Sequence, residues 1–213
     1  MKSLSQINGL LLLIGLIDKI QVPVRNSFLE FFTVQLNKYQ ASVVAYLFDM
    51  LPIGEEVDTL NFSLSGDFIG KFNAAYSKIK EQTAEIYIVF NIPSYSRSVF
   101  LALSKSNPKI TARLLANIED YERESEVELG FGDVVVLADQ AGQDKNTPFA
   151  VILLRTATAI DIKNIPDNLA IKDKETLFFL AVPLAENEYN LWRQQGHDAL
   201  MDLFISDNKE LFF

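Results

Sequence analysis

The sequence predicts an α+β fold, a mixed β-sheet of about six strands with helices packed on its faces. Two observations support this fold class: short apolar segments that end at turn residues, and longer stretches in which apolar residues recur at helical spacing. With 213 residues, 49% of them hydrophobic, the chain can bury one sizeable core and is too apolar to be globally disordered.

Six segments have the composition or the alternation of strands. Thr59–Ser65 alternates apolar and polar residues, which is typical of a half-buried strand that Gly66 ends. The others are continuous runs rich in β-branched and aromatic residues, as expected of strands buried on both faces. They are Ala41–Leu51, Ala84–Phe90, Phe131–Leu137, Phe149–Leu154 and Leu177–Pro183.

Helical spacing predicts helices in three further stretches. The three are Phe28–Tyr39, Ser98–Asp120 and Glu186–Phe204. The first follows a possible cap at Asn26 or Ser27, and the second is broken around Asn107–Pro108, so it is predicted as two helices. Gly196 interrupts the third.

The most apolar run is Gly9–Ile17, and its nine residues are too few for a membrane span, which needs about 20. Lys2 is the only charge before it, and no A-x-A cleavage pattern follows. We therefore predict that residues 1–27 form an apolar helical segment docked on the core, and that residues 28–213 form a single α+β domain. A signal or interfacial anchor is the alternative for this run. The protein is expected to be cytoplasmic, without membrane association.

The charge of the chain is uneven. The net charge is -9, and residues 1–106 carry nine basic and nine acidic residues while residues 107–213 carry ten and nineteen. Nucleic-acid binding is disfavoured, because phosphate neutralisation needs a basic surface. The acidic half suggests a protein partner with a basic surface, although acidic surfaces also simply keep proteins soluble.

Few residues could carry catalysis. The chain has no Cys and one His, His197, which excludes thiolate chemistry and zinc sites built from Cys or several His. There is no G-x-S-x-G, Walker A or G-x-G-x-x-G motif, and Gly130-Phe-Gly132 precedes a predicted strand where a phosphate loop would precede a helix. Asp139 and Asp144 lack calcium-loop spacing. We predict no cofactor, no metal and no enzymatic activity.

The segment Glu119–Glu128 holds six acids and one Arg. If it is extended, four of its glutamates point to one face; if it is helical, they form like-charged pairs four residues apart. Either geometry exposes a concentrated negative potential, although such runs are often only solvated faces. The predicted partner-binding residues are Glu122, Glu124, Glu126, Glu128, Asp133, Asp139 and Asp144.

The segment Thr176–Leu191, continued by Gly196–Phe204, resembles the end of the suppressor of fused family: a strand, a hydrophobic-Pro-Leu step and an acidic-start helix. Further segments resemble that family over about residues 28–204. They are Ala84–Ile88, Leu114–Glu124 with Gly130–Asp133, and Phe149–Leu154. The resemblance implies a non-enzymatic module that binds another protein. Similar bacterial domains look like immunity proteins that neutralise toxins, and animal ones sequester a transcription factor.

The leading hypothesis is therefore a protein-binding module, such as an immunity-type protein, that meets a basic partner through an acidic face. The first alternative is a small carboxylate-based hydrolase or ligand-binding enzyme, which requires a pocket lined by at least two convergent acids. The second is a structural homodimer joined through the Leu-rich N-terminus and the tail Glu210–Phe213.

Overall fold

The computed structural model describes residues 36–64, 71–80, 84–105, 107–137 and 148–213. The predicted segment 1–27, most of the helix predicted over Phe28–Tyr39, and Asp139 and Asp144 lie outside the described residues.

The described residues form three α-helices and eight β-strands. The helices are α1 (Lys38–Met50), α2 (Pro108–Ser125) and α3 (Glu186–Ser206). The strands are β1 (Asp58–Ser63), β2 (Lys71–Lys78), β3 (Tyr87–Ile92), β4 (Ser98–Ser104), β5 (Val134–Val136), β6 (Ala150–Leu154), β7 (Asn168–Ile171) and β8 (Lys174–Leu184). This is the predicted α+β class with two more strands than expected, because β2, β4 and β7 were not anticipated and one predicted strand is a helix.

The eight strands belong to one mixed sheet. Seven of them lie in the order β1-β2-β3-β4-β8-β6-β5, and β7 pairs with β8. The β4–β8 pair is parallel, and the other pairs are antiparallel. Strand β8 organises the sheet because it pairs with β4 along one edge and with β7 and then β6 along the other.

Helices cover both faces of this sheet. One apolar cluster joins α1 and α3 to one face, and a second joins α2 to the other. Neighbouring strand residues alternate between the clusters: Phe178 belongs to the first, and Phe179 belongs to the second. Because both faces are covered, the central strands are apolar at almost every position, as the sequence predicted for Leu177–Pro183.

The strand predicted over Ala41–Leu51 is wrong, because these residues lie in helix α1. Its buried residues Tyr39, Val43 and Leu47 are four positions apart, which is helical spacing. The N-terminus is fixed by a capping box, in which Asn37 Oδ1 accepts from Gln40 N at 2.9 Å and Gln40 Oε1 accepts from Asn37 N at 3.0 Å. The β-branched and aromatic content of the segment therefore reflects its burial against the sheet.

Of the two helices predicted over Ser98–Asp120, the second is confirmed and the first is wrong. The part after Asn107 is helix α2, with Pro108 at its first turn and Asn107 as its cap. The part before it is strand β4, whose seven residues are all buried. A strand buried on both faces has no polar side, so its apolar residues fit a helical period as easily as a strand one.

Helix α3 confirms the prediction over Glu186–Phe204, including the interruption. Gly196 has φ 87° and ψ -174°, which kinks the helix between Trp192 and Leu200. On one side of the kink Tyr189 packs on Phe149, with ring centroids 5.1 Å apart, and on the other Leu200 is fully buried. In the part of the chain that is described, no helix is long and apolar enough to cross a membrane.

We expect Gly196→Ala to lower the free energy of unfolding by about 1–3 kcal/mol, because the backbone conformation at this position is almost restricted to glycine. No atom lies within 4 Å of the added methyl group, so the loss isolates backbone strain. Denaturant unfolding measures it. Gly130→Ala is the control, since Gly130 is not among the positive-φ residues and its added methyl would have only an ordinary contact at 3.6 Å. Equal stability of the two variants would contradict the expectation.

Candidate functional site

Helix α2 has an open cleft at each of its ends. Its 18 residues span roughly 27 Å across the sheet face formed by β2, β3 and β4. At its start is a cleft of about 520 Å³ lined by Glu55, Asp58, Tyr76, Lys78 and Lys109, among others. At its end is a cleft of about 400 Å³ that holds part of the predicted acidic segment. We call the second the Glu122 cleft. It is lined by Tyr95, Ser96, Arg97, Ser98, Glu122, Arg123, Glu126, Val127, Glu128 and Lys174.

A fully buried carboxylate, Glu119, holds the β3–β4 connection against α2. Its Oε1 accepts from the backbone N–H groups of Ser94 at 2.5 Å and Tyr95 at 2.9 Å, and its Oε2 accepts from Asn91 Nδ2 at 3.0 Å. Asn91 in turn donates to the carbonyl of Ser98 at 3.2 Å. One wall of the cleft is therefore positioned by a network that joins a helix, a strand and a loop.

Glu122, three residues further along α2, holds the second wall. Its Oε1 accepts from Ser98 Oγ at 3.0 Å and from the backbone N–H of Leu129 at 3.1 Å. These bonds tie the segment after α2 back onto β4. The side chain is only 6% exposed, and Oε2 has no hydrogen-bond partner among the described residues.

Burial perturbs both carboxyl groups. Removal from water raises the pKa of Glu119 and of Glu122, because burial disfavours the charged form. The hydrogen bonds from the backbone N–H groups of Tyr95 and Leu129 act in the opposite direction. Burial prevails at both positions.

The two arginines that line the cleft already form ion pairs with acids of this chain. Arg97 forms ion pairs with Glu128 and, at 2.9 Å, with Glu175. Arg123 Nη2 lies 2.7 Å from Asp120. Each exposed pair contributes little to stability, but together they neutralise the cations of the rim.

Lys174 and Glu126 complete the charges of the rim. Lys174 Nζ lies 4.9 Å from the centroid of the Tyr39 ring, in a cation–π contact. Glu126 follows the last residue of α2 with φ 54°, is exposed, and forms no ion pair with a described residue. Its carboxylate is therefore available to a ligand.

Two partly exposed apolar side chains lie beside these charges. Tyr95 is 44% exposed and Val127 is 47% exposed. Tyr95 is held by the ring of Phe72, with centroids 5.0 Å apart. A rigid tyrosine beside carboxylates is the kind of surface that is enriched in protein interfaces.

The structure separates the predicted site residues into buried and exposed ones. Glu124, Glu126, Glu128 and Asp133 are exposed, and the Asp133 carboxylate accepts from Gly130 N at 2.7 Å. The expectation that Glu122 is exposed is corrected, because only 6% of it is exposed, in the wall of the cleft. The segment is neither wholly extended nor wholly helical: α2 ends at Ser125, and the later glutamates lie in irregular backbone.

Sequence reasoning missed the buried role of Glu119 and the contributions of Asn91, Tyr95 and Arg97. A signal for the first was present, because Leu115, Ile118, Glu119 and Glu122 follow helical spacing and all are buried. The other three come from a distant strand and loop, so only the fold brings them to the end of α2.

The arrangement of these side chains gives little support to a metal site or to catalysis by carboxylates. Across the five described ranges, no group of three or more His, Asp or Glu side chains is arranged to hold a metal ion. Three carboxylates do line the Glu122 cleft, but Glu128 is paired with Arg97 and Glu122 Oε1 is bonded to Ser98 and Leu129.

We expect Glu119→Ala to destabilise the protein by about 3 kcal/mol or more, because it leaves the N–H groups of Ser94 and Tyr95 and one N–H of the Asn91 amide without an acceptor. Denaturant unfolding measures the loss. Glu124→Ala removes an exposed carboxylate from the same helix and should change stability by less than about 0.5 kcal/mol. A loss below about 1 kcal/mol for Glu119→Ala would show that the network is not needed.

Glu122 should make stability depend on pH in a definite direction. Its folded-state pKa is raised, so the folded state holds this proton more tightly than the unfolded state. The stabilisation from the protonated form is complete below the ordinary value of 4.5 and is lost as the pH rises through the raised value. Unfolding of the wild type and of Glu122→Gln at several pH values measures this. The wild type should lose stability relative to the variant as the pH rises, and a constant or opposite difference would refute the assignment.

The comparisons with known proteins agree on one family. The model of the suppressor of fused protein (SUFU) family matches residues 73–213, about two thirds of the chain, from β2 to the last residue. No curated protein is significantly similar in sequence.

Three solved structures are similar to this chain. A SUFU homologue from Neisseria gonorrhoeae has a TM-score of 0.60 at 10% identity, over 82% of this chain and 93% of its own. Sufu in the Sufu–Fu complex has a TM-score of 0.43 at 10% identity, over 75% of this chain and 72% of its own. Drosophila Suppressor of Fused has a TM-score of 0.41 at 12% identity, over 75% of this chain and only 40% of its own.

The first of these likenesses shows the same fold, a mixed sheet with helices on its faces. The family match covers every residue that lines the Glu122 cleft, from Tyr95 to Lys174. This chain belongs to the suppressor of fused family.

Proposed function

We propose that this chain is a non-enzymatic protein-binding module that holds a basic partner at the surface around the Glu122 cleft. One observation carries the proposal: the exposed carboxylates of Glu124 and Glu126 lie at the same end of α2 as the partly exposed side chains of Tyr95 and Val127. Aromatic and apolar contacts supply affinity, while complementary charge supplies selectivity and speed of association.

The charges around the cleft favour a cationic partner. Arg97 and Arg123 are already paired with acids of this chain, so they leave little positive potential. The excess acids of residues 107–213 include the end of α2 and the segment that follows it. A basic surface approaching this end of the helix would therefore meet Glu126, which forms no ion pair with a described residue, beside Glu124 and Glu128, which are each paired with one arginine.

Family membership supports protein binding as the kind of activity. Sufu, a member of this family, is found in a complex with Fu. A rigid site suits such a role, because the networks of Glu119 and Glu122 position both walls of the cleft before any partner arrives.

In its narrower form, the proposal is that this is an immunity-type protein of a bacterial cytoplasm whose partner is a toxin. A toxin that acts on nucleic acid needs a basic surface, and an acidic module can cover that surface. The narrower form is tested by adding the chain to the toxin encoded beside its gene and measuring residual toxin activity. Full activity at saturating amounts of the chain would exclude it and leave the broader proposal standing.

The double variant Glu124→Lys/Glu126→Lys should weaken partner binding by about tenfold or more, and the loss should grow as the salt concentration falls, because like charges then meet across the interface. Partners are captured from a lysate of the source organism with the wild-type chain as bait, and their affinities are measured with purified proteins.

Glu55→Lys/Glu56→Lys is the matched control, since it makes the same change of charge in exposed residues at the opposite end of α2. It should leave the affinity nearly unchanged. If both variants lose affinity equally, binding depends on net charge alone, and if neither does, the acidic surface is not the interface.

A further inference from the structure

The Glu122 cleft contains a buried acceptor that the fold does not satisfy. Glu122 is 6% exposed, and its Oε2 is the one buried side-chain oxygen or nitrogen among the described residues without a hydrogen-bond partner. Glu119, on the same face of α2, has donors for both of its oxygens. Such an unsatisfied group destabilises a folded protein, and a ligand that supplies a donor relieves that cost.

We infer that the Glu122 cleft binds one arginine side chain of the partner, whose guanidinium donates to Glu122 Oε2 and to the carboxylate of Glu126. The inference rests on the proposed function and names the side chain through which the basic partner enters the site. In this inference the exposed acids attract the partner electrostatically, and the buried carboxylate of Glu122 binds one guanidinium group.

The two acceptors are suitably placed for one ligand group. Glu122 and Glu126 are four residues apart where α2 ends, and both line the cleft. Glu126 has left the helical conformation, with φ 54°, but it directly follows the last residue of α2 and borders the same cleft as Glu122. A guanidinium carries five N–H donors in a planar fork and can bond two carboxylates at once.

The rim already contains one guanidinium bound in this way. Arg97 joins Glu128 on one side to Glu175 on the other, and both acids come from segments that meet only in the fold. Two pairs of carboxylates therefore lie in or beside the cleft, since Glu175 is bonded to Arg97 but does not itself line the cleft. Arg97 occupies one pair, and the other pair, Glu122 and Glu126, lacks a cation among the described residues.

No other cation lining the cleft is committed to the second pair. Arg123 lies on Asp120 at 2.7 Å and on Glu124 at 3.0 Å. Lys174 lies over the ring of Tyr39. Ser96 is the other described group that acts on the Glu122 carboxylate, and it carries no charge, so a cationic donor for this pair is left to the partner.

The apolar lining favours arginine over lysine. Tyr95 and Val127 line the cleft and expose about half of their surfaces, so they can contact the stem of an entering side chain. The planar guanidinium also stacks on an aromatic ring and is more weakly hydrated than an ammonium group, so it is easier to place next to a buried oxygen. The volume of about 400 Å³ accommodates one such side chain.

Blocked amino acids test the inference without a known partner. Nα-acetyl-arginine amide is titrated into the full chain, and backbone amide chemical shifts are followed by NMR. We expect saturable shifts at Arg97, Arg123 and Leu129, weaker binding of the lysine analogue, and no saturable shifts with the citrulline analogue, which has the same shape without the charge.

Glu122→Gln should weaken arginine binding about tenfold or more, because an amide N–H₂ or a neutral oxygen replaces the anionic acceptor. The variant keeps one oxygen for Ser98 and Leu129, so it should fold, and unfolding curves check this. Glu56→Gln, in the cleft at the other end of α2, is the control and should bind arginine as the wild type does.

Three outcomes would overturn the inference: no saturable shifts with arginine, equal shifts with citrulline, or unchanged affinity in Glu122→Gln. The last outcome means that an ordered water satisfies Oε2. Failure here is distinguishable from failure of the proposed function. If Glu124→Lys/Glu126→Lys abolishes partner binding while Glu122→Gln leaves it intact, the acidic interface stands and the arginine site does not.

Discussion

The burial of the Glu119 carboxylate is the constraint on which the site depends. A charge removed from water is tolerated only where donors replace the water, and here Ser94, Tyr95 and Asn91 supply three. These donors belong to the end of β3 and the loop after it, so the loop must follow the path that brings them to α2. The place of Tyr95 and Arg97 at the mouth of the cleft follows from that requirement.

Burial in or against the sheet made some elements easy to predict from the sequence and left the type of others, helix or strand, ambiguous. β6 and β8 were predicted because their runs of β-branched, aliphatic and aromatic residues are typical of strands. β4 and α1 were interchanged in type because both are apolar: β4 is buried inside the sheet, and α1 packs on one face of it. In α1 the capping box at Asn37 was the missed signal, and in β4 no local signal exists, because burial on both faces removes the alternation.

The excess acids of the chain serve two physical purposes. Those that face inward, Glu119 and Glu122, replace solvent with hydrogen bonds and hold loops in position. Those that face outward, such as Glu124 and Glu126, create the negative potential that a basic partner would meet. The same stretch of sequence thus contributes both buried hydrogen-bond acceptors and exposed charges.

The sequence by itself determined the α+β class, the acidic character of the second half, the lack of thiol chemistry and the segment in which the site lies. Composition and local periodicity carry this information, because they depend on neighbours along the chain. The tertiary structure alone decided which acids are buried, since Glu122 and Glu124 are two residues apart in the sequence but on different sides of α2. It also decided that Arg97, from a loop 25 residues before Glu122, stands beside that helix, because contacts between distant segments exist only in the fold.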